Sequence, residues 1–575
     1  MCSAGGADFS SAANIMKNQE GRLQTPLMRL LCAGIMLALA GCGGGSGGNT
    51  ATPPASSSPP SSSAPPSPPT TSSPPPDTTT PITSGSAARD LGGPSLGNLV
   101  SSGTITVTLN SDPGEDVGAG QTYSYSNQNS TIRVSSGSNW IAITGDGTDA
   151  WAGYIRLPAS DTQFQPGTYS GLRQFIDPGS TGSLDWSMDD RFCTAGNGTL
   201  TVNSVSYVAG AITAIDFNFV QYCVDFDSAG LHGHVVWNAA GSTVSITPLD
   251  PPPSGLWQAA PGATPTTGNY IYLESDPGEY VGQGKTYTET PQNSLQTVTT
   301  VADGAQIQSL GQDNWLGQFQ IPVGQTQLQP GYYGQVGRWH VDNPARGGLA
   351  WTGDTNGCNE SIGWYVVDDV SYNDGAISAL DLRFEQHCEL WQAALHGQIH
   401  WRASDTTQAP GPTPIPQGLW QPPSGATPAS GNYVYLDGDA GDYIVSGLEG
   451  PATQDLYISP AAAINVGVST GPVPGPNVTV TVNGGDGWTG QFAGMYSLTQ
   501  LQPGYYGPIM TSGDPATGGV DWFGMGRGCD YTTGWLAIDS VSYAAGVLTG
   551  IDLRFEQHCN GASAALHGQV HWSAP

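Results

Sequence analysis

Along GWYVVDDVSYNDGAISALDLRFEQHC, residues 363–388, apolar and polar positions alternate in two runs that flank Asn373-Asp374-Gly375. A period of two puts successive side chains on opposite faces of a strand, and Asp-Gly tolerates the backbone angles of a tight hairpin turn. The pattern predicts a β-hairpin. The octapeptide that closes it, DLRFEQHC, recurs unchanged at 552–559, and a degraded form, DFNFVQYC, ends at Cys223. Each copy is followed by LHG, and the last two by LHGQ-[IV]-HW. On a strand, Leu380, Leu382, Phe384 and Cys388 share one face, while Asp381, Arg383, Glu385 and His387 share the other. In the next strand Leu395, Ile399 and Trp401 oppose His396, Gln398 and His400. With Cys388 set opposite Leu395, the expected outward pairs are His387–His396, Glu385–Gln398 and Arg383–His400. The third copy then pairs His558–His567, Glu556–Gln569 and Arg554–His571. In the first copy the counterparts are Tyr222 and His232, Val220 and His234, Asn218 and Val236.

Self-comparison extends the repeat over about 140 residues, at offsets of about 165 to 171. GTITVTLNSDPGEDVGAG, GNYIYLESDPGEYVGQG and GNYVYLDGDAGDYIVSG open the three copies. FQPGTYSG, LQPGYYGQ and LQPGYYGP follow in register, then SLDW, GLAW and GVDW ending at Trp186, Trp351 and Trp522. Copies two and three are preceded by GLWQ, with Trp257 and Trp420. No stretch after the leader shows a 3.6-residue period with helix formers over several turns. The expected class is all-β: three tandem antiparallel β-sandwich-like domains, at 103–240, 268–403 and 431–575, joined by linkers at 241–267 and 404–430.

Composition agrees with turn-rich β-modules, since 81 Gly and 45 Pro make up more than a fifth of the 575 residues. The 15 Lys and Arg against 46 Asp and Glu give a net charge of −31. A chain so short of basic clusters has no electrostatic footprint for nucleic acid. From Met28, the expected true start, MRLLCAGIMLALAGC carries one arginine, an apolar run too short to span a bilayer and small residues before a cysteine. The tetrad Leu39-Ala40-Gly41-Cys42 resembles the lipobox of bacterial lipoproteins at every position. That resemblance implies a signal region at 1–41, cleavage before Cys42, acylation of its thiol and new N-terminus, and attachment to a lipid membrane. Gly43 after the cysteine implies sorting to the outer membrane. Residues 42–102 are expected to be a disordered Gly/Ser/Pro stalk, whose Pro-rich stretch from 43 to about 88 reaches at most on the order of 140 Å at roughly 3.1 Å per residue.

The six cysteines beyond the leader fall two to a repeat with equal spacing, as Cys193/Cys223, Cys358/Cys388 and Cys529/Cys559. In an exported protein this predicts one disulfide in each repeat. The outward His/Glu set is the candidate metal ligand group for Zn or Cu: Glu385, His387 and His396, with Glu556, His558 and His567. The turn Asp276-Pro-Gly-Glu279 is expected to be turn chemistry, with Ca²⁺ as its alternative occupant. Trp315, Tyr332, Tyr333, Trp488, Tyr505 and Tyr506 are candidates for an aromatic platform that stacks on sugar rings. No nucleophile elbow, HExxH or phosphate loop is present. Glu385 and Glu556 lack the second carboxylate that glycoside hydrolysis requires, and no catalytic residue or resident cofactor is expected.

The module as a whole, with SDPG(E/D)Y, LQPGYY, GRGC, RFEQHC and ALHGQ, resembles a secreted β-domain of bacterial lipoproteins and hypothetical proteins. The resemblance implies location and modularity but brings no activity. The expected protein is a membrane-anchored, surface-displayed, non-catalytic binding or adhesion lipoprotein with polysaccharide or a surface protein as partner. A metal-binding envelope protein and a structural spacer are the alternatives.

Overall fold

The computed structural model describes residues 103–575 apart from 175–180, 194, 224–228, 240–247, 249–250, 340–342, 354, 470–473, 484–486 and 511–512. The expectations for the signal region, Cys42 and the stalk lie outside the described residues. Thirty strands and no helix occur among the described residues. They fall into three repeats of ten, beginning at β1 (Thr104–Ser111), β11 (Tyr270–Ser275) and β21 (Tyr433–Gly438).

In the second repeat β11 is followed by β12 (Thr286–Glu289), β13 (Ser294–Val301), β14 (Gly304–Gly311), β15 (Trp315–Gln320) and β16 (Gly331–Arg338). Then come β17 (Gly348–Gly353), β18 (Ser361–Asn373), β19 (Ala376–Cys388) and β20 (Ala394–Arg402). Hydrogen bonding runs in the order β12-β11-β20-β19-β18-β16-β17-β15-β14-β13. All pairings are antiparallel except β16–β17, which meet in parallel only at Gly337–Gly348 and Arg338–Leu349. The ten-stranded sheet folds over at this short seam, so its two halves face each other. Leu273 and Ile399 from one half share a core with Ile307, Phe319 and Trp351 from the other. The first repeat has the same strand order, whereas the third parts at the seam into sheets of six and four strands.

Local chemistry explains the long hairpin. Asp374 and Gly375 have φ of 49° and 81°, so both central turn residues take the left-handed angles that match the twist of the flanking strands. Ala209-Gly210 and Ala545-Gly546 do the same in the other repeats. The inner layer is aromatic: Trp351 stacks on Phe384 at 4.8 Å and is fully buried. Gly317 makes room for it, because a Cβ there would fall on the Trp351 ring. Three disulfides close the repeats as the spacing predicts, Cys193–Cys223, Cys358–Cys388 and Cys529–Cys559.

The repeats touch through different chemistry at each junction. A loop of the second repeat places Asn343 Nδ2 2.9 Å from Ala152 O, and Arg346 Nη2 2.9 Å from both Gly145 O and Trp151 O. Arg346 also pairs with Asp146 at 3.1 Å, which Arg133 holds from its own repeat. Burial pushes the Asp146 carboxyl up, but Arg346 and Arg133 outweigh it and hold it below the usual carboxylate range. At the second junction Tyr496 donates its hydroxyl to Pro291 O at 2.6 Å and accepts from Ala409 N–H at 3.2 Å. Part of the expected linker 404–430 therefore belongs to the third repeat, where Ala409 is buried in the core and Thr413 pairs with Tyr505.

Candidate functional site

The polar face of RFEQHC forms as alternation predicts, but in a different register. β19 and β20 pair Glu385 with His396, Arg383 with Gln398, Asp381 with His400 and His387 with Ala394. The expected partners are displaced by two residues. A two-residue slip leaves every side chain on its own face, so alternation fixes the faces and the turn alone fixes the register. Here Glu389 and Leu390 both take left-handed angles, φ 50° and 59°, and Trp391 N–H closes back on Cys388 O at 2.9 Å.

This register places Glu385 between two imidazoles. His387 Nε2 lies 3.1 Å from one carboxylate oxygen and His396 Nδ1 3.3 Å from the other. His387 Nδ1 faces Trp391 O at 3.1 Å. Burial pushes the Glu385 carboxyl up, yet the two histidines more than offset this and bring it to about 2. A carboxyl lowered on folding stabilises the fold above its ordinary value and ceases to do so as pH falls through the lowered one. The second repeat is therefore expected to lose stability as pH falls from 4.5 towards about 2. Glu385→Gln should flatten that dependence in urea titrations at stepped pH.

Around Arg383, Glu385, His387 and His396 the face is largely covered. Leu256 and Trp257, from the segment expected to be a linker, lie across it and pack on Tyr332, Trp364 and Val366. The Trp257 ring stacks on His396 at 5.0 Å, nearly parallel. Its carbonyl accepts from Arg383 Nη1 at 3.0 Å, and Arg383 forks onto Asp368 at 2.8 and 2.9 Å. The third repeat reproduces the arrangement. Glu556 lies 3.3 Å from both His558 and His567, Trp420 stacks on His567 at 5.1 Å, and Arg554 donates to Trp420 O at 2.8 Å. In the first repeat the positions of Arg383 and Glu385 hold Asn218 and Val220, so neither the guanidinium nor the carboxylate of this clasp is present. The outward half of the signature is thus a clasp for a tryptophan strap. Among the described residues no group of three His, Cys, Asp or Glu side chains is arranged to hold a metal ion.

The other candidates also resolve into architecture. Glu279 is buried and accepts from Val281 N–H, Gly282 N–H and the Ser275 hydroxyl at 2.8, 2.6 and 2.8 Å. Asp276 accepts from Ala394 N–H at 3.0 Å, so the turn acids tie the β11 loop to the start of β20. The expected aromatic platform is overturned by burial. Trp315, Trp488 and Tyr333 are each 3% exposed, Tyr506 is fully buried, and Tyr332 lies beneath the strap. Strand alternation turns these rings inward: Trp315 meets Tyr287 edge-on, Tyr333 stacks on Tyr365, and Trp488 N–H donates to Tyr457. Tyr505 alone of the six is partly exposed, beside Trp535.

Two features escaped the sequence reading. Gln386, 1% exposed, sits on the inner face with Phe384 and Cys388. Its Oε1 accepts from Trp351 N–H at 2.7 Å, and its Nε2 donates to Trp351 O at 3.0 Å. β17 leaves β16 after Leu349, so the Gln386 amide replaces the missing strand. Gln221 and Gln557 do the same for Trp186 and Trp522. The signal was available, because this glutamine occurs in all three copies, even where histidine and glutamate do not. The second feature is a cleft of about 280 Å³ on the second repeat, lined in part by Gln318, Arg338, Trp339, Ala350 and Thr352. No protein-family model matches this chain, and no curated protein matches it.

Proposed function

We propose that the protein is a lipid-anchored, surface-displayed binding protein that holds a polysaccharide without reacting with it. The lipobox at Cys42 and the Pro-rich stretch behind it supply the anchor and the reach. The observation that carries the ligand class is the cleft on the second repeat. Among the described residues its lining includes Trp339, Arg338, Gln318 and Thr352 and no carboxylate. An apolar ring accompanied by hydrogen-bonding side chains suits a sugar face. The full chain is expected to bind on an array of polysaccharides and to lose at least tenfold in affinity on Trp339→Ala. Silence across all polysaccharides would leave the spacer reading in its place.

A second reading follows from the convergence of Glu385, His387 and His396, and of Glu556, His558 and His567, which are ligand types for Zn or Cu. Metal there would have to displace the Glu–His contacts beneath Trp257 and Trp420. Zinc and copper titrations of the full chain with His558→Ala and His567→Ala test it, and unchanged metal affinity would remove it.

A further inference from the structure

The cleft of the second repeat is the open counterpart of a seat that the first repeat has filled. In the first repeat β5 (Ala150–Arg156) and β7 (Ser183–Met188) pair Ala152 with Ser187 and Tyr154 with Asp185. The loop between β16 and β17 lies on their outer face. Asn343 is 6% exposed there, and its Nδ2 lies 2.9 Å from Ala152 O, 3.3 Å from Asp185 O and 3.2 Å from Ser187 Oγ. Its Oδ1 accepts from Ala345 N–H at 3.0 Å, and the Ala345 side chain packs on Ala142, Ala152 and Tyr154. The seat thus takes two things side by side, an amide N–H donor and a methyl group.

The second repeat builds the same strands. β15 and β17 pair Leu316 with Thr352 and Gln318 with Ala350, in the register that Trp315 and Trp351 share with Trp151 and Trp186. Leu316 and Thr352 stand for Ala152 and Ser187, and Gln318 and Ala350 for Tyr154 and Asp185. Gln318, Ala350 and Thr352 line the cleft. Ala152, Tyr154 and Asp185 are buried, whereas Leu316, Gln318 and Ala350 are each partly exposed. The third repeat brings no equivalent plug, because its loop carries Asp514 and Thr517 where the second has Asn343 and Arg346. Asp514 accepts from Ala516 N–H and the Thr517 hydroxyl of its own loop, at 2.8 and 2.9 Å, and has no amide to offer. Asn-Pro-Ala occurs once in the sequence, so a second copy could supply the plug only by undoing its own first junction.

On the reading that the cleft holds a sugar, we propose that this sugar is N-acetylated and sets its acetamido group where Asn343 and Ala345 sit on the first repeat. An acetamido group carries an N–H donor and a methyl in one planar unit, the pair of features that the filled seat receives. The Thr352 hydroxyl reaches Leu316 O at 3.4 Å, which leaves its oxygen to accept the acetamido N–H as Ser187 Oγ accepts from Asn343. Ala350 offers the methyl an apolar contact, and Trp339 offers the sugar ring an apolar face. A cleft of about 280 Å³ lies at the small end of ligand sites, which run to roughly 300–1,000 Å³, and suits a single sugar residue.

The test is calorimetric titration of the full chain with chitin and cellulose oligomers of equal length, beside the polysaccharide array. The two oligomers share backbone and linkage, are both neutral, and differ at carbon 2, acetamido against hydroxyl. The chitin oligomer is expected to bind tighter by about tenfold, the scale of one added hydrogen bond. Thr352→Val keeps the shape and removes the acceptor, so it should bring the two affinities towards parity while unfolding at the wild-type temperature. Trp339→Ala should weaken the chitin oligomer, and serves alone if the valine variant does not fold. Equal affinity for the two oligomers, or array binding confined to polymers without acetamido groups, overturns the N-acetyl assignment and leaves the sugar reading standing. Chitin binding that both variants leave unchanged overturns it too, as does displacement of chitin by a synthetic Asn-Pro-Ala-Arg peptide that binds more tightly, which would give the cleft to a protein. Silence across the whole array overturns both readings.

Discussion

Cys388→Ser is expected to destabilise the second repeat by roughly 3–4 kcal/mol, the chain-entropy value for opening a loop of this length. The bond ties Cys358, three residues before β18, to the last residue of β19, with Cα atoms 4.9 Å apart, and so closes the whole long hairpin into one loop. Without it the unfolded chain regains the freedom of that loop, while the folded state keeps its ladder. The sulfur is also a packing element, since Cys358 Sγ lies 3.2 Å from Gln386 Nε2. Urea unfolding of the wild type in reductant should show the same loss in all three repeats. A fall below about 1 kcal/mol would mean that the hairpin is ordered without its staple.

Gln386→Leu is the second large effect, with an expected cost of about 2–5 kcal/mol from stranding one buried donor and one buried acceptor. Leucine fills similar space and keeps the strand face apolar, so a reading based on hydrophobicity would call it mild. The structure says otherwise, because Trp351 N–H and C=O face the Gln386 amide at 2.7 and 3.0 Å. On that side of β17, β16 pairing ends at Leu349 and the next backbone partner is Asn356 on Gly353, so the Gln386 amide covers Trp351 between them. Gln386→Glu separates the two bonds, since a carboxylate still accepts from Trp351 N–H but offers nothing to Trp351 O. Chemical denaturation of the three proteins should rank wild type above Glu, with Leu well below wild type. Equal stability of the Leu variant would show that water completes the strand instead.

The sequence disclosed the strands, the tandem plan, the turns and the disulfide pairs, because each follows from a short-range rule: period two, Asp-Gly angles, equal cysteine spacing. It sorted Phe384 and Cys388 from Glu385 and His387 correctly, because alternation is local. It misplaced the partners of Glu385, since a slip of two residues leaves the pattern of faces untouched and only the angles of Glu389 and Leu390 decide it. Trp315 and Tyr333 looked like a surface platform because an aromatic on a strand carries no mark of which face is inward until its neighbours are known. The strap was hidden for the opposite reason. Leu256 and Trp257 lie in Pro- and Gly-rich sequence that reads as a linker, and only the fold shows what they cover.

The clasp can be tested most directly by amide hydrogen exchange across residues 255–260 in the full chain, comparing wild type, Arg383→Ala and wild type with EDTA. If the outward half of RFEQHC serves to hold the strap, Arg383→Ala strips protection from this segment, leaves the β18–β19 hairpin protected, and EDTA changes nothing. Protection that survives Arg383→Ala, or that disappears with EDTA, would contradict that role and return the histidines and Glu385 to metal chemistry.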